Sequence, residues 1–267
     1  MTSQYETKRL ITFDRIKIKS NYKYLLNTKV KFNEMFHSRS GEKIGIFYSS
    51  KDDINIPYNL YIAVSYIKQT LTLEFSSKIL KEKYPDLISR DTIKECLTNI
   101  NQLNICDIDV DSILSNGAIT SVDVTYDANL ILSDNLLDAL NSQVNNYRRF
   151  KWAHYDKEGI MFTKDVKSKD YTETIILYNK EKEICTSHNK DFLNSLSQPQ
   201  TVMNYFKGKT RFEVTLDTPK KIMNYLNLAD TKISSVLNSD TNPILTQFDK
   251  VFGNSTANMP NTTFDDY

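Results

Sequence analysis

The chain has 267 residues, 40% hydrophobic and 25% charged, with a formal net charge of +1. That length allows one large domain or two small ones with a real core, and the whole-molecule charge selects no class of partner. Six glycines and six prolines exclude a linker-rich or collagen-like chain. Neither G-x-G-x-x-G nor G-x-x-x-x-G-K-[ST] occurs, so a nucleotide partner held by those loops is not expected.

Charge is unevenly spread. Residues 1–32 carry eight Lys/Arg against Glu6 and Asp14. A second basic group is Arg148-Arg149-Phe150-Lys151-Trp152, and a third runs Lys207, Lys209, Arg211, Lys220, Lys221. Basic residues interleaved with aromatics suit a nucleic-acid groove, although any one group alone is better read as a solvated face. Cys96, Cys106 and Cys185 form no Cys-x-x-Cys pair, no secretion signal opens the chain, and no apolar run is long enough to span a bilayer. These features point to a reducing cytoplasm and to no membrane partner. His37, His154 and His188 are scattered, so any metal is expected on carboxylates.

In chain order, Leu10–Ile18 alternates as a strand around Ile11, Phe13 and Arg15, and Ile44–Ser49 reads as another. Tyr58–Phe75 reads as two strands joined near Lys68-Gln69-Thr70. Asp91 is expected to cap a helix carrying Ile93, Cys96, Leu97, Ile100 and Leu103. Asn116-Gly117 turns into a strand over Ala118–Tyr126, and a helix follows from Ser133 or Asp134. Arg149–Tyr155 and Ile160–Lys164 form an expected hairpin. Glu173–Ile184 reads as a strand with Thr174, Ile176, Tyr178 and Lys180 on one face. Asp191–Phe206 is helical with an interruption at Pro199, and Thr210–Leu216 is a strand with Arg211, Glu213 and Thr215 on one face. Thr218-Pro219 caps a further helix, more helix follows from Ile233 and Pro243, and residues 254–267 are polar and loose.

Four of these strands pair an apolar face with a polar one carrying Glu74; Asp123 and Asp127; Tyr178 and Lys180; and Arg211 and Glu213. The expected fold is α+β, with a central mostly antiparallel sheet, helices packed on one face and an open polar active face. Three segments are expected: a β-rich basic segment, 1–70, packed on or extending the sheet; a catalytic core, 71–239; and a C-terminal helix with a loose tail, 240–267. Carboxylates on adjacent strands can share Mg²⁺ or Mn²⁺. A nearby tyrosinate could attack phosphorus while Lys and Arg offset the developing charge.

Four stretches carry a family resemblance. They are Leu73-Glu74-Phe75-Ser76-Ser77-Lys78-Ile79-Leu80, Ile119–Tyr126, Leu177-Tyr178-Asn179-Lys180-Glu181-Lys182-Glu183 and Thr210-Arg211-Phe212-Glu213-Val214. In this order they resemble the replication initiators of filamentous phages, the gene II/X type, and more distantly the rolling-circle initiators of small plasmids. The resemblance spans roughly residues 70–225. It implies an RRM-like sheet and an enzyme that nicks and transfers one strand of origin DNA. Carried over residue by residue, Tyr178 would be the nucleophile, leaving a 5′-phosphotyrosine and a free 3′-hydroxyl, with Lys180 and Glu183 beside it. Asp123, Glu213 and Glu74 would hold the divalent cation, with Glu183 and Asp127 as alternates. Arg211, Lys78, Arg148, Arg149 and Trp152 would contact DNA. Ser121 stands where the family strand usually has arginine, which weakens a DNA contact at that point.

Implied partners are single-stranded or supercoiled origin DNA, and a host helicase and DNA polymerase, in the host bacterial cytoplasm. Two other readings compete: a non-catalytic single-stranded nucleic-acid-binding protein, and a metal-dependent nuclease using water. Tyr155, Tyr171 and Tyr205 are alternative nucleophiles if the strand register is read one residue out.

Overall fold

A computed structural model describes residues 11–144, 150–155, 158–164 and 173–252. In chain order the elements are β1 (Phe13–Asn21), β2 (Leu25–Thr28), β3 (Asn33–Phe36), β4 (Lys43–Ser49), β5 (Leu60–Ser65) and β6 (Thr70–Ser76). After a 3-10 segment, Ser77–Asp86, come α1 (Ile93–Gln102), β7 (Cys106–Ile108), α2 (Val110–Asn116), β8 (Ala118–Ala128) and α3 (Asp134–Val144). They continue with β9 (Phe150–Tyr155), β10 (Gly159–Lys164), β11 (Glu173–Asn179), α4 (Lys180–Ile184), α5 (Ser187–Asn194) and α6 (Pro199–Phe206). The last are β12 (Thr210–Leu216), α7 (Pro219–Leu226), α8 (Ile233–Leu237) and α9 (Pro243–Phe252).

Ten strands form one sheet in the order β3-β4-β5-β6-β1-β8-β12-β11-β10-β9. Every neighbouring pair is antiparallel. β2 and β7 pair separately. The α+β class and the antiparallel sheet are as the alternation predicts. β1 is not an extension of the core: it lies in the middle of the sheet, between β6 and β8. The expected boundary at residue 70 falls in the β5–β6 hairpin, so the sheet runs unbroken from the described strands before it into those after it.

The strands are amphipathic for the usual reason: alternate residues point to opposite faces. Ile16, Ile18, Leu71, Leu73, Phe75, Val122, Val124, Ile175, Leu177, Val214 and Leu216 are buried in one core. That core also takes Ile93, Cys96, Leu97 and Ile100 of α1, Ile222 and Leu226 of α7, and Ile233 and Val236 of α8. Each such side chain removed from water contributes about 1.5–3 kcal/mol. The opposite face carries Glu74, Lys17, Ser121, Asp123, Glu213 and Tyr178.

Helices do not stay on the core face alone. β6 ends, β1 begins, β8 ends, β12 begins and β11 ends at the same edge of the sheet, as the antiparallel register requires. There the 3-10 segment and α4–α6 close over it, with Tyr84 packed against Phe192 and Phe206 at 5.5 and 5.4 Å between ring centroids. Pro199 does not interrupt a helix but begins one, at the first-turn position of α6, where its missing N–H is harmless. Among the described residues, no helix is long and apolar enough to cross a membrane.

Candidate active site

β1 carries the feature that shapes the site. Phe13 pairs with Val124 but Arg15 pairs with Asp123, so one extra residue, Asp14, is inserted in β1. This β-bulge turns the strand locally. The even alternation that would put Phe13 and Arg15 on one face is broken. Phe13 is in the core, while Asp14 and Arg15 both reach polar partners on the other side.

Asp14 meets Arg211 of β12. The Arg211 guanidinium is completely buried, 0% exposed. Its Nε and Nη2 donate to the two Asp127 oxygens at 2.6 and 2.9 Å. Its Nη1 donates to Asp14 Oδ1 at 2.9 Å and to the Tyr84 hydroxyl at 3.0 Å. A buried guanidinium is tolerable only when its fork is satisfied in this way. The expected phosphate contact of Arg211 is therefore corrected: the guanidinium is buried and four of its five N–H groups bond inside the protein, tying β12 to β8, β1 and the 3-10 segment.

Tyr178 pairs with Arg211 across β11–β12, and Glu213 pairs with Ile176. Tyr178 and Glu213 are thus diagonal neighbours on one face, and the Tyr178 hydroxyl donates to Glu213 Oε1 at 2.8 Å. Burial pushes the Glu213 carboxyl up, and the Asp14 carboxylate pushes it further; Arg211 and Lys180 offset only part, leaving it at about 7. Burial would also raise Asp14, but Arg211, Lys180 and the Ser77 hydroxyl outweigh it and hold that carboxyl at about 2. Two carboxylates on one surface are thereby split into a permanent anion and a group that titrates near neutrality. Burial, with Glu213 next, holds the Tyr178 phenol well above its ordinary value.

Lys180 reaches Tyr178 by a route other than the expected one. β11 ends at Asn179, whose side chain accepts from Lys182 N–H and caps α4. Lys180 is then the first residue of that helix, not the next residue on the strand face. It is 1% exposed, with its Nζ 5.5 Å from the Tyr178 ring centroid, 5.3 Å from Tyr84 and 5.4 Å from Phe206. Glu183, one helical turn on, accepts from Lys180 Nζ at 2.5 Å. Asn189 donates to the other Glu183 oxygen at 3.0 Å and accepts from Lys78 Nζ at 2.5 Å. Burial, and then Lys180 beside it, lower the Lys78 ammonium. Lys78, Lys180, Glu183 and Tyr178 are therefore brought together.

Glu74 and Asp123 lie in a second group nearer the sheet's centre. Arg15 donates to Asp123 through Nε at 2.7 Å and Nη2 at 3.1 Å, to Glu74 through Nη1 at 3.0 Å, and to the Ser121 hydroxyl at 3.2 Å. Lys17 adds a contact to Glu74 at 2.9 Å. An arginine does serve Ser121, but it comes from the neighbouring strand. Arg148 and Arg149 lie outside the described residues. Trp152 is on β9, three strands from β12, and its side chain lies outside the description. Of the alternative nucleophiles, Tyr171 is outside the described residues and Tyr155 is described only as the last backbone position of β9. Tyr205 sits on α6 with Lys209 Nζ 3.4 Å over its ring.

Asp14, Arg15, Tyr84 and Asn189 are the site residues that sequence reasoning missed. The adjacent Asp-Arg pair breaking the Phe13/Ile16 alternation was the available signal for the bulge. Tyr84 and Asn189 arrive through tertiary packing and carry no local signal.

The fold presents a tyrosine, a titrating carboxylate and buried cations at one end of an antiparallel sheet. Residues 87–235, more than half of the chain, match the family of the N-terminal region of the replication-associated gene II protein of filamentous phages (Phage_CRI). The chain belongs to this family and is a rolling-circle replication initiator. A comparison with curated proteins finds no match. The matched segment contains Asp123, Tyr178, Lys180, Glu183, Arg211 and Glu213; Asp14, Arg15, Glu74, Lys78 and Tyr84 lie before it.

Proposed function

We propose that this initiator nicks one strand of origin DNA by direct attack of Tyr178 on the scissile phosphodiester. The observation that carries the reading is the 2.8 Å hydrogen bond from the Tyr178 hydroxyl to Glu213. An ordinary carboxylate is a poor base for a phenol. A carboxyl raised to about 7 is a stronger one and is still half ionised at neutral pH. As the phenolic oxygen bonds to phosphorus, its proton passes to Glu213. The bond from phosphorus to the 3′ oxygen breaks, and that oxygen leaves as a 3′-hydroxyl after taking a proton from solvent. The product is a 5′-phosphotyrosine, which keeps an ester bond available for later strand transfer. Lys180, desolvated among three rings, and Lys78 beside it offset charge developing on the phosphoryl oxygens. The 3′-hydroxyl then primes a host polymerase, and a host helicase separates the strands.

A divalent cation held jointly by Asp123, Glu213 and Glu74 does not fit the donor set. Asp123 and Glu74 are both engaged by Arg15, and Glu213 accepts from Tyr178. Among the described residues, no group of three or more His, Cys, Asp or Glu side chains converges. No step is therefore routed through a metal.

The test is a denaturant-resistant gel shift of the full chain on single-stranded and supercoiled DNA containing the origin. Wild type should retain label through denaturant, and Tyr178→Phe should lose it while still binding DNA. Cleavage without retained protein would mean that water is the nucleophile. Salt-dependent binding with no cleavage would mean a non-catalytic binding module.

A further inference from the structure

Beside Tyr178 lies a cavity of about 290 Å³ lined by Glu158, Ile176, Tyr178, Asn179, Glu183 and Thr186. Gly159 stands directly across the β10–β11 pair from Tyr178. A Cβ at that position would lie 2.6 Å from Tyr178 Cβ and 2.6 Å from the Leu177 carbonyl oxygen, closer than real side chains approach. Strand partners point to the same face, so a larger residue there would crowd the flank of the tyrosine. Glycine leaves it clear.

The lining has the makeup of a site that reads one flat heterocycle. Ile176 and the Tyr178 ring supply an apolar wall. Asn179 uses its Oδ1 to cap α4, which leaves its Nδ2 hydrogens for a ligand. Glu158 is exposed at the rim, and its backbone carbonyl accepts from Asn179 N–H at 2.7 Å. The Thr186 hydroxyl is fixed by its bond to the Glu183 carbonyl at 2.8 Å. Carboxylate oxygens have lone pairs beyond those taken by Lys180 and Asn189, so Glu158 and Glu183 are acceptors and Asn179 is a donor; together they suit a base edge that sets an amino group beside a ring acceptor. The exposed Glu158 carboxylate also disfavours a phosphate inside, which leaves the backbone outside the cavity.

We infer that this cavity receives one unstacked nucleobase adjoining the scissile phosphate, and that it favours bases with an exocyclic amino group (cytosine, adenine or guanine) over thymine. The inference rests on the reading of Tyr178 as the attacking group. Taking a base out of the stack next to the reacting bond would also hold the phosphodiester against the phenol.

The experiment uses the full chain and a pool of single-stranded oligonucleotides randomised over their central positions. Strands that stay on the protein through denaturant are sequenced, and the linked junction is located. At one of the two nucleotides flanking the linked phosphate, thymine should be recovered about tenfold less often than the amino-bearing bases. Glu158→Gln, a surface change, and Thr186→Val should each flatten that preference at this nucleotide and leave other positions alone. Equal recovery of all four bases at both flanking nucleotides would overturn the assignment. So would a preference that both variants leave intact. A pool that yields no retained strand would overturn the Tyr178 reading and this inference with it, whereas retained strands without base preference would overturn the cavity alone.

Discussion

Tyr178 and Glu213 are not strand partners; they are diagonal neighbours, and the hydroxyl of one reaches the carboxylate of the other at 2.8 Å. The direct partner of Tyr178 is Arg211, four of whose five N–H groups go to Asp127, Asp14 and Tyr84. The Arg211 cation is thereby kept off the Tyr178 oxygen, and the group that does touch it is the Glu213 carboxyl. Diagonal pairs suit long side chains, which span the ~7–8 Å between such positions.

The first prediction concerns pH. Glu213 must be ionised to accept the phenolic proton, so the single-turnover nicking rate should rise about tenfold per pH unit below neutrality and level off near the carboxyl's value of about 7. Glu213→Gln should lower the rate by about 10²–10⁴ and remove the break. Stability moves the other way. A carboxyl raised from 4.5 to about 7 favours the fold fully below 4.5, and that contribution is lost as pH rises through about 7. The thermal stability of wild type should therefore fall between pH 5 and 8, and less so in Glu213→Gln. A rate profile breaking near 4.5 would remove Glu213 as the base.

With Glu213 as the proposed base, Asp14 would act on the reaction through it. Its charge is a major cause of the raised Glu213 value, so Asp14→Asn should move the rate break to lower pH; a structural role alone would lower the rate without moving the break. The same substitution tests acid stability. Asp14 is held at about 2 against an ordinary 3.8. It contributes about 2 kcal/mol above pH 3.8, lost as pH falls through about 2. That acid-side loss should be absent in Asp14→Asn.

Arg211→Met should destabilise the protein by about 3–5 kcal/mol, because it strands Asp127 as an unpaired buried charge. Urea unfolding measures this. Asp127→Asn in the same chain should recover part of the loss, since the two residues share one network. Unchanged stability in the single variant would mean that the buried fork is not formed.

Much of this was legible in the sequence. The alternation of Thr210–Leu216 and Ala118–Tyr126 fixes which side chains share a face, and Thr218-Pro219 places a helix start correctly. What misled was local regularity. Lys180 looks like the next residue on Tyr178's strand face, but Asn179 is also a helix cap, and capping ended the strand. Arg15 looks aligned with Phe13, but the bulge at Asp14 shifts it. Arg211 reads as an exposed cation because charge usually is, and only three partners from distant parts of the chain reveal that it is buried. Neither bulges nor buried ion networks have a period, so pattern alone does not announce them.

Asp123 and Glu74 separate two accounts of the sheet's centre. If their work is to hold Arg15, Asp123→Asn should cost about 1–2 kcal/mol in stability. It should then leave the response of nicking to added Mn²⁺ the same as in wild type. A raised Mn²⁺ requirement in this variant would assign Asp123 to a cation instead.

The most direct measurement is to trap the covalent complex on single-stranded origin DNA, digest both protein and DNA, and locate the modified residue by mass spectrometry. The account predicts a nucleotide linked through phosphate to Tyr178, in the peptide that runs from β11 into α4. A nucleotide on Tyr155, Tyr171, Tyr205 or any other side chain, or efficient nicking with no linked peptide, would contradict it.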